Sequence, residues 1–167
     1  MYRYAEGVAS LWQRWIVNPV MGLLRMGADP NKLAWSLALG VVVGVNPLLG
    51  STTLVALGLA SAFRLNLVAS QVGNHAVYPL EILLFPVFIK VGDVVFGTEK
   101  LPLEGHELWY AAKHHPWHTT RLLWTWEWHA LVVWAIFAAV AAPAIAMASE
   151  PVLRKMAKSV GKTASSS

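Results

Sequence analysis

Between Lys32 and Arg64 the chain carries no charge, and Asn46-Pro47 falls near the middle of that run. One straight helix over residues 33–63 would extend about 46 Å at 1.5 Å per residue. The hydrocarbon core of a bilayer is only about 30 Å thick. Tilt absorbs part of such an excess. The Asn-Pro pair absorbs it differently, by dividing the run into halves of roughly 20 Å, each too short to cross alone. The run therefore folds either as one kinked span or as a hairpin that enters and leaves on one side.

Two further apolar stretches, residues 65–89 (interrupted by Glu81) and 130–149, also exceed the ~18 residues that mark a membrane helix. Only 13% of the residues are charged, 56% are hydrophobic and the mean hydropathy is +0.50. A soluble domain carries roughly 25% charged residues, so this chain lacks the charge to cover a soluble surface. Its 167 residues suit one domain. The absence of cysteine excludes disulfides and thiol catalysis. The start, MYRYAEGVASLWQRW, has no signal-peptide core, so insertion through internal segments is expected. The pI is near 9.6. Because Lys and Arg lie in loops and ends, as membrane flanks do, nucleic acid is not an expected partner.

Residues 1–28 read as an amphipathic interfacial helix, with Val8, Leu11, Trp12, Trp15, Ile16, Val20, Leu23 and Leu24 at helical spacing. Pro19 is expected to kink or divide it. Residues 29–97 form the membrane core, opening on a turn at Asp29-Pro30. Its second half repeats the grammar of the first: an apolar run, an interruption at Tyr78-Pro79, a second apolar run to Gly97, with Pro86 as a further kink. Matching interruptions in two halves point to a binding site in membrane transporters. Residues 98–127 are aromatic and His-rich and belong at the headgroup level. Residues 128–150 form a closing transmembrane helix that Pro143 bends, and 151–167 a basic, disordered tail. The fold class is all-α.

Both ends are basic, which places both in the cytoplasm and requires an even number of crossings. Three simple spans give an odd number. Re-entrance within 33–97 plus two crossings resolves the conflict. A multi-pass membrane protein is expected, with the bilayer and a second copy or another membrane protein as partners.

The stretch from about Trp15 to Gly97 resembles the bacterial membrane family catalogued as domain of unknown function 2062. Asp29-Pro30 and Ala38-Leu39-Gly40 fit its opening. Gly44, Pro47, Gly50 and Thr53 fit its G-x-x-P-x-x-G-x-Q-T motif, with Thr52 where the family usually has Gln. Arg64 and Asn66 fit its Arg-x-Asn link. Gly73 and Pro79 fit its second motif, with Tyr78 in place of the usual Asn. Some members carry a glycosyltransferase domain, and the resemblance thereby implies a loose link to envelope glycan or lipid chemistry. The region after residue 98 lies outside the resemblance.

Asn46, Ser51, Thr52 and Thr53 form the first polar cluster. An interrupted helix leaves N–H groups unpartnered at the start of its second half, and Ser or Thr caps them. The same geometry attracts an anion, the more so if Arg64 reaches it. Glu81 is the sharpest single residue, since a carboxylate deep in hydrocarbon costs at least about 2.5–3.5 kcal/mol unless protonated, paired or hydrated. His75 and Lys90 are its candidate partners, and a proton or cation site competes with a capping role. His114 and His118 are four apart, but Pro116 between them disfavours a helix, and no HExxH occurs. No metal, no cofactor and no catalytic residue is expected, and nothing resembles a phosphate loop or nucleophile elbow. Two functions remain. One is a small transporter or lipid-handling protein, with Asn46, Thr52, Thr53, Arg64 and Glu81 around a polar pocket for an anionic or amphiphilic ligand. The other is a non-catalytic scaffold or regulatory partner of a cell-envelope, glycosyltransferase-type enzyme.

Overall fold

A computed structural model describes residues 13–97, save Leu49, and 116–164, with Tyr110, Lys113 and His114 besides. Among the described residues all regular structure is helical. A π-helical turn, Gln13–Val17, leads into α1, Asn18–Arg25. Pro19 stands where the π-helical turn gives way to α1. It occupies the first turn of α1, the part of a helix that tolerates proline. The helix ends at Gly27, φ +82, whose N–H donates to Leu24 O while Ala28 N–H donates to Leu23 O. This is a Schellman cap with glycine in the left-handed position.

Asp29 opens α2, Pro30–Val43, by accepting the Asn31 N–H at 2.8 Å. The polypeptide then turns through residues 44–51 into α3, Thr52–Ala62. At their end stands Asn66, which caps α4, Leu67–Ala76, by accepting the Ala69 N–H at 2.9 Å. The Asn66 N–H donates back to Ser36 Oγ at 2.8 Å. The chain has thus returned to the first turns of α2 by residue 66. So α2 and α3 form a helical hairpin with both ends at one end of the bundle, and one kinked span over residues 33–63 is ruled out. At 14 and 11 residues the arms are about 21 and 17 Å long.

α4 then repeats the path of α2. Gly40 lies against Ser70 and Asn74, and Gly44 against Asn74 and Val77. The contacts advance together along both helices, so the two run parallel. Ser36, Gly40 and Gly44 form a small-xxx-small stripe that lets the backbones touch, the geometry helices adopt where lipid removes the hydrophobic drive to associate. A Cβ on Gly40 would clash with the Ser70 carbonyl oxygen, and one on Gly73 with that of Leu37.

After a break at Val77 the chain continues as α5, Tyr78–Phe96, which Pro86 does not end. α6, Pro116–Ala164, returns antiparallel. Its Leu153 packs with Leu33, Val20 and Leu24, and its Ala138, Ala142 and Ile145 with Val42 and Val43. Further along, Gly92 of α5 abuts His129-Ala130, and Phe88 meets Phe137 at 5.7 Å. α6 overrides the two sequence boundaries at residues 128 and 151. Pro116 enters its first turn, Pro143 and Pro151 lie within it, and the segment read as a disordered tail is helical through Ala164. Arg154 and Glu150, one turn apart, pair at 2.6 Å across one of those boundaries. The rest of the aromatic and His-rich segment, residues 98–109, 111–112 and 115, lies outside the described residues.

Within α6, Leu123–Gly161 is long and apolar enough to cross a membrane, and only 11% of its most apolar window is buried by the protein. Leu54, Ile82, Leu83, Val94, Ile136 and Val140 are likewise exposed apolar side chains.

Candidate functional site

The two helix breaks meet each other. Asn46 begins the first by accepting the Leu48 N–H on Oδ1 at 2.9 Å, an Asx turn that offers the backbone an alternative to helix. Pro47 is fully buried beside it, and Gly50 takes φ +81, a conformation only glycine adopts freely. The expected serine cap on α3 does not form. Ser51 Oγ instead donates backwards to Leu48 O at 2.8 Å. Thr52 is buried and Thr53 exposed.

From the second break, two side chains reach into this loop. Asn74 Nδ2 donates to Thr53 Oγ1 at 3.5 Å. The Glu81 carboxylate, in the first turn of α5, comes close to the Gly50 backbone N–H. Asn74 is 1% exposed and Glu81 4%. His75 and Lys90 do not serve Glu81. The His75 ring turns back to Gln71 O at 2.8 Å. Lys90 is exposed and nine positions on, half a turn out of phase with Glu81 at 100° per residue. Pro79 occupies the first turn of α5 and Tyr78 is exposed.

The break also frees a carbonyl. Asn46 N–H donates to Val43 O rather than to Val42 O, as a continuing helix would require. Val42 O accepts the Trp134 indole N–H from α6 at 2.8 Å instead. Asn74 and Trp134 were not singled out from the sequence. Asn74 was legible as a polar residue on the same face as Ser70 and Gly73. Trp134 was masked by eight other tryptophans.

Arg64 does not join this junction. It follows the far end of α3, 11 residues away, about 17 Å along the helix axis. It takes φ +53. Its N–H donates to Ser61 O and the Leu65 N–H to Ala60 O, so Arg64 fills the left-handed Schellman position that Gly27 fills after α1. Phe63 and Leu65, on either side of it, line an apolar groove of about 500 Å³ between α2, α3 and α6. Trp35, Trp134 and Ala138 line the same groove. Lys32, exposed one turn before Trp35, stands at the same end of α2. Among the described residues no three His, Asp or Glu side chains come together. His106 and His115 lie outside those residues, as does the His118 side chain.

The sequence profile of a family described as "uncharacterized protein conserved in bacteria", DUF2062, matches residues 13–160. The chain belongs to this family. The match runs beyond Gly97, so α6 is part of the family's unit rather than an addition to it, in keeping with its packing along the whole of α2. The Arg-x-Asn link of the family acquires a structural meaning here: Arg64 closes α3 and Asn66 opens α4. No curated protein and no solved structure matches the chain.

Proposed function

We propose that this protein is a lipid-handling protein of the bacterial inner membrane, which holds an anionic amphiphile with its acyl chain in the α2–α3–α6 groove and its anionic group at Arg64 and Lys32. The observation that carries this reading is the placement of Arg64 between two groove-lining residues, Phe63 and Leu65. A groove of about 500 Å³ falls within the roughly 300–1,000 Å³ of small-molecule sites. Its walls are apolar and its cations lie at one end, which is the polarity of a lipid. A transporter built on all five candidate residues loses its geometric support, because Arg64 is remote from Thr52 and Thr53.

The membrane placement follows from charge. Arg14, Arg25, Lys32, Arg64, Arg154, Lys155 and Lys158 gather at the end of the bundle that holds α1 and the last turns of α6, against Asp29 and Glu150. Basic ends face the cytoplasm. With that end inside, α2 and α3 form a re-entrant hairpin whose arms, about 21 and 17 Å long, stop short of crossing the ~30 Å core. The α4–α5 pair and α6 supply two crossings. Both chain ends are then cytoplasmic. The groove opens toward the cytoplasmic leaflet, with Arg64 and Lys32 at headgroup depth.

The test is lipid identification by mass spectrometry on the protein purified in mild detergent. The parent, Arg64→Gln and Ala138→Trp, which fills the groove, are compared. An anionic lipid enriched over the bulk membrane, and reduced several-fold in both variants, is the expected result. Bound lipid that mirrors the bulk membrane in all three would remove the proposal and return the scaffold reading.

A further inference from the structure

The junction of the two breaks leaves two buried oxygens without a partner. Glu81 Oε1 and Asn74 Oδ1 accept no hydrogen bond. The residues are 4% and 1% exposed. The Glu81 carboxylate comes close to the Gly50 N–H. The Asn74 amide is held loosely, by donation to Thr53 Oγ1 and Gln71 Oε1, both at 3.5 Å. Glu81 and Asn74 belong to different helices, yet both reach the same short loop, one at Gly50 and the other at Thr53. Gly44 lets the Asn74 side chain approach α2 this closely, since a Cβ there would stand 2.9 Å from Oδ1.

Unpartnered acceptors inside a protein are costly, and a bare carboxylate the most so. The compensation has to be positive, and the described cations are elsewhere: Arg64 at the far end of α3, Lys90 on the outer face of α5, His75 turned back on α4. Helix dipoles do not supply it either. α2 and α4 end at the junction while α3 and α5 begin there, so their terminal charges offset. A cation from solution meets the requirement. Carboxylate and amide oxygens are hard ligands, suited to hard cations rather than to transition metals. A single carboxylate neutralises one positive charge. A divalent ion would leave an uncompensated charge inside the bilayer, and among the described residues no three His, Cys, Asp or Glu side chains come together. Breaks in membrane helices are where transporters place such ions.

We propose that Glu81 and Asn74 bind one sodium ion at the point where the second break meets the α2–α3 loop. The inference does not use the lipid groove, whose lining includes neither Glu81 nor Asn74.

The test is thermal unfolding of the full chain in detergent, followed by tryptophan fluorescence. NaCl is exchanged for KCl or choline chloride at constant ionic strength and pH. Sodium at a hundredfold excess over Kd is expected to raise Tm by about 5–10 °C, saturably. Glu81→Gln and, separately, Asn74→Leu abolish the rise. Should Glu81→Gln fail to fold, Asn74→Leu gives the same readout with the carboxylate intact. Equal Tm in all three salts overturns the proposal, as does a sodium response that survives in the folded variants. A Tm that follows pH alone also overturns it, and assigns Glu81 a proton instead of a metal ion.

Discussion

Replacing Gly40 by alanine tests the central contact of the bundle. The added Cβ would clash with the Ser70 carbonyl oxygen and stand 2.8 Å from Asn74 N. Both are backbone atoms, which no rotamer change can move. The helices α2 and α4 have to separate, and overpacking of this kind costs about 1–3 kcal/mol. The Ser36–Asn66 hydrogen bond at 2.8 Å lies one turn away and stretches with them, which adds about 0.5–1.5 kcal/mol. Alanine recovers up to ~1 kcal/mol of helix propensity over glycine, so the net loss is about 2 kcal/mol. Gly58 supplies the control. It lies in α3 with nothing within 4 Å of an added Cβ, and Gly58→Ala should be neutral or stabilising by up to ~1 kcal/mol. The two variants should therefore differ by about 3 kcal/mol in reversible unfolding in mixed micelles, followed by helix content. If Gly40→Ala unfolds with or after Gly58→Ala, the close parallel packing of α2 on α4 is wrong.

Trp134→Phe keeps most of the groove wall but strands the Val42 carbonyl, and a loss of about 1–3 kcal/mol in the same unfolding assay is expected. A loss under half of that would mean the freed carbonyl finds another donor. Asn66→Ala removes the cap of α4 and should lower stability by about 1 kcal/mol, while Asn66→Asp, which still accepts from Ala69, should lose far less. Arg64→Gly should raise stability by about 1 kcal/mol, because glycine adopts the left-handed conformation without strain. The same variant should lower the amount of bound anionic lipid, and a variant that is both more stable and fully lipid-loaded would count against the assigned role of Arg64.

The division of the uncharged run was legible because it rested on length and one dipeptide. A 46 Å helix does not fit a 30 Å slab, and Asn46-Pro47 offers the place to fold. The choice between kink and hairpin was not legible. It is decided by Ser36 meeting Asn66, thirty residues apart, and nothing local announces such a pair. The polar candidates divided in the same way. Glu81 announced itself through the expense of a charge in an apolar run, and it does reach the first break. Arg64 was assigned to that break on charge alone, but chain direction carries it to the other end of α3. The C-terminal tail misled for a different reason. Lys, Ser and Pro151 read as a helix stop when taken locally. The packing of Leu153 on α1 and α2 overrides them, since proline in a long helix is tolerated where its neighbours hold the backbone.

The ends of α1 and α3 constitute an internal comparison that bears on function. Both close with the same pair of hydrogen bonds, and each needs a residue at positive φ. α1 uses Gly27, the residue that fits at no steric expense. α3 uses Arg64, for which the left-handed region costs about 1–2 kcal/mol. Glycine would serve the cap better, so cap geometry does not account for the arginine. Packing does not account for it either, because the side chain is exposed. Nor does an ion pair, since Arg64 forms none among the described residues. What remains is the charge itself, held between Phe63 and Leu65 at the end of an apolar groove. Strain kept at one position in the absence of an internal return indicates an external partner. On the lipid-handling reading proposed above, that partner is an anion attached to a hydrocarbon chain.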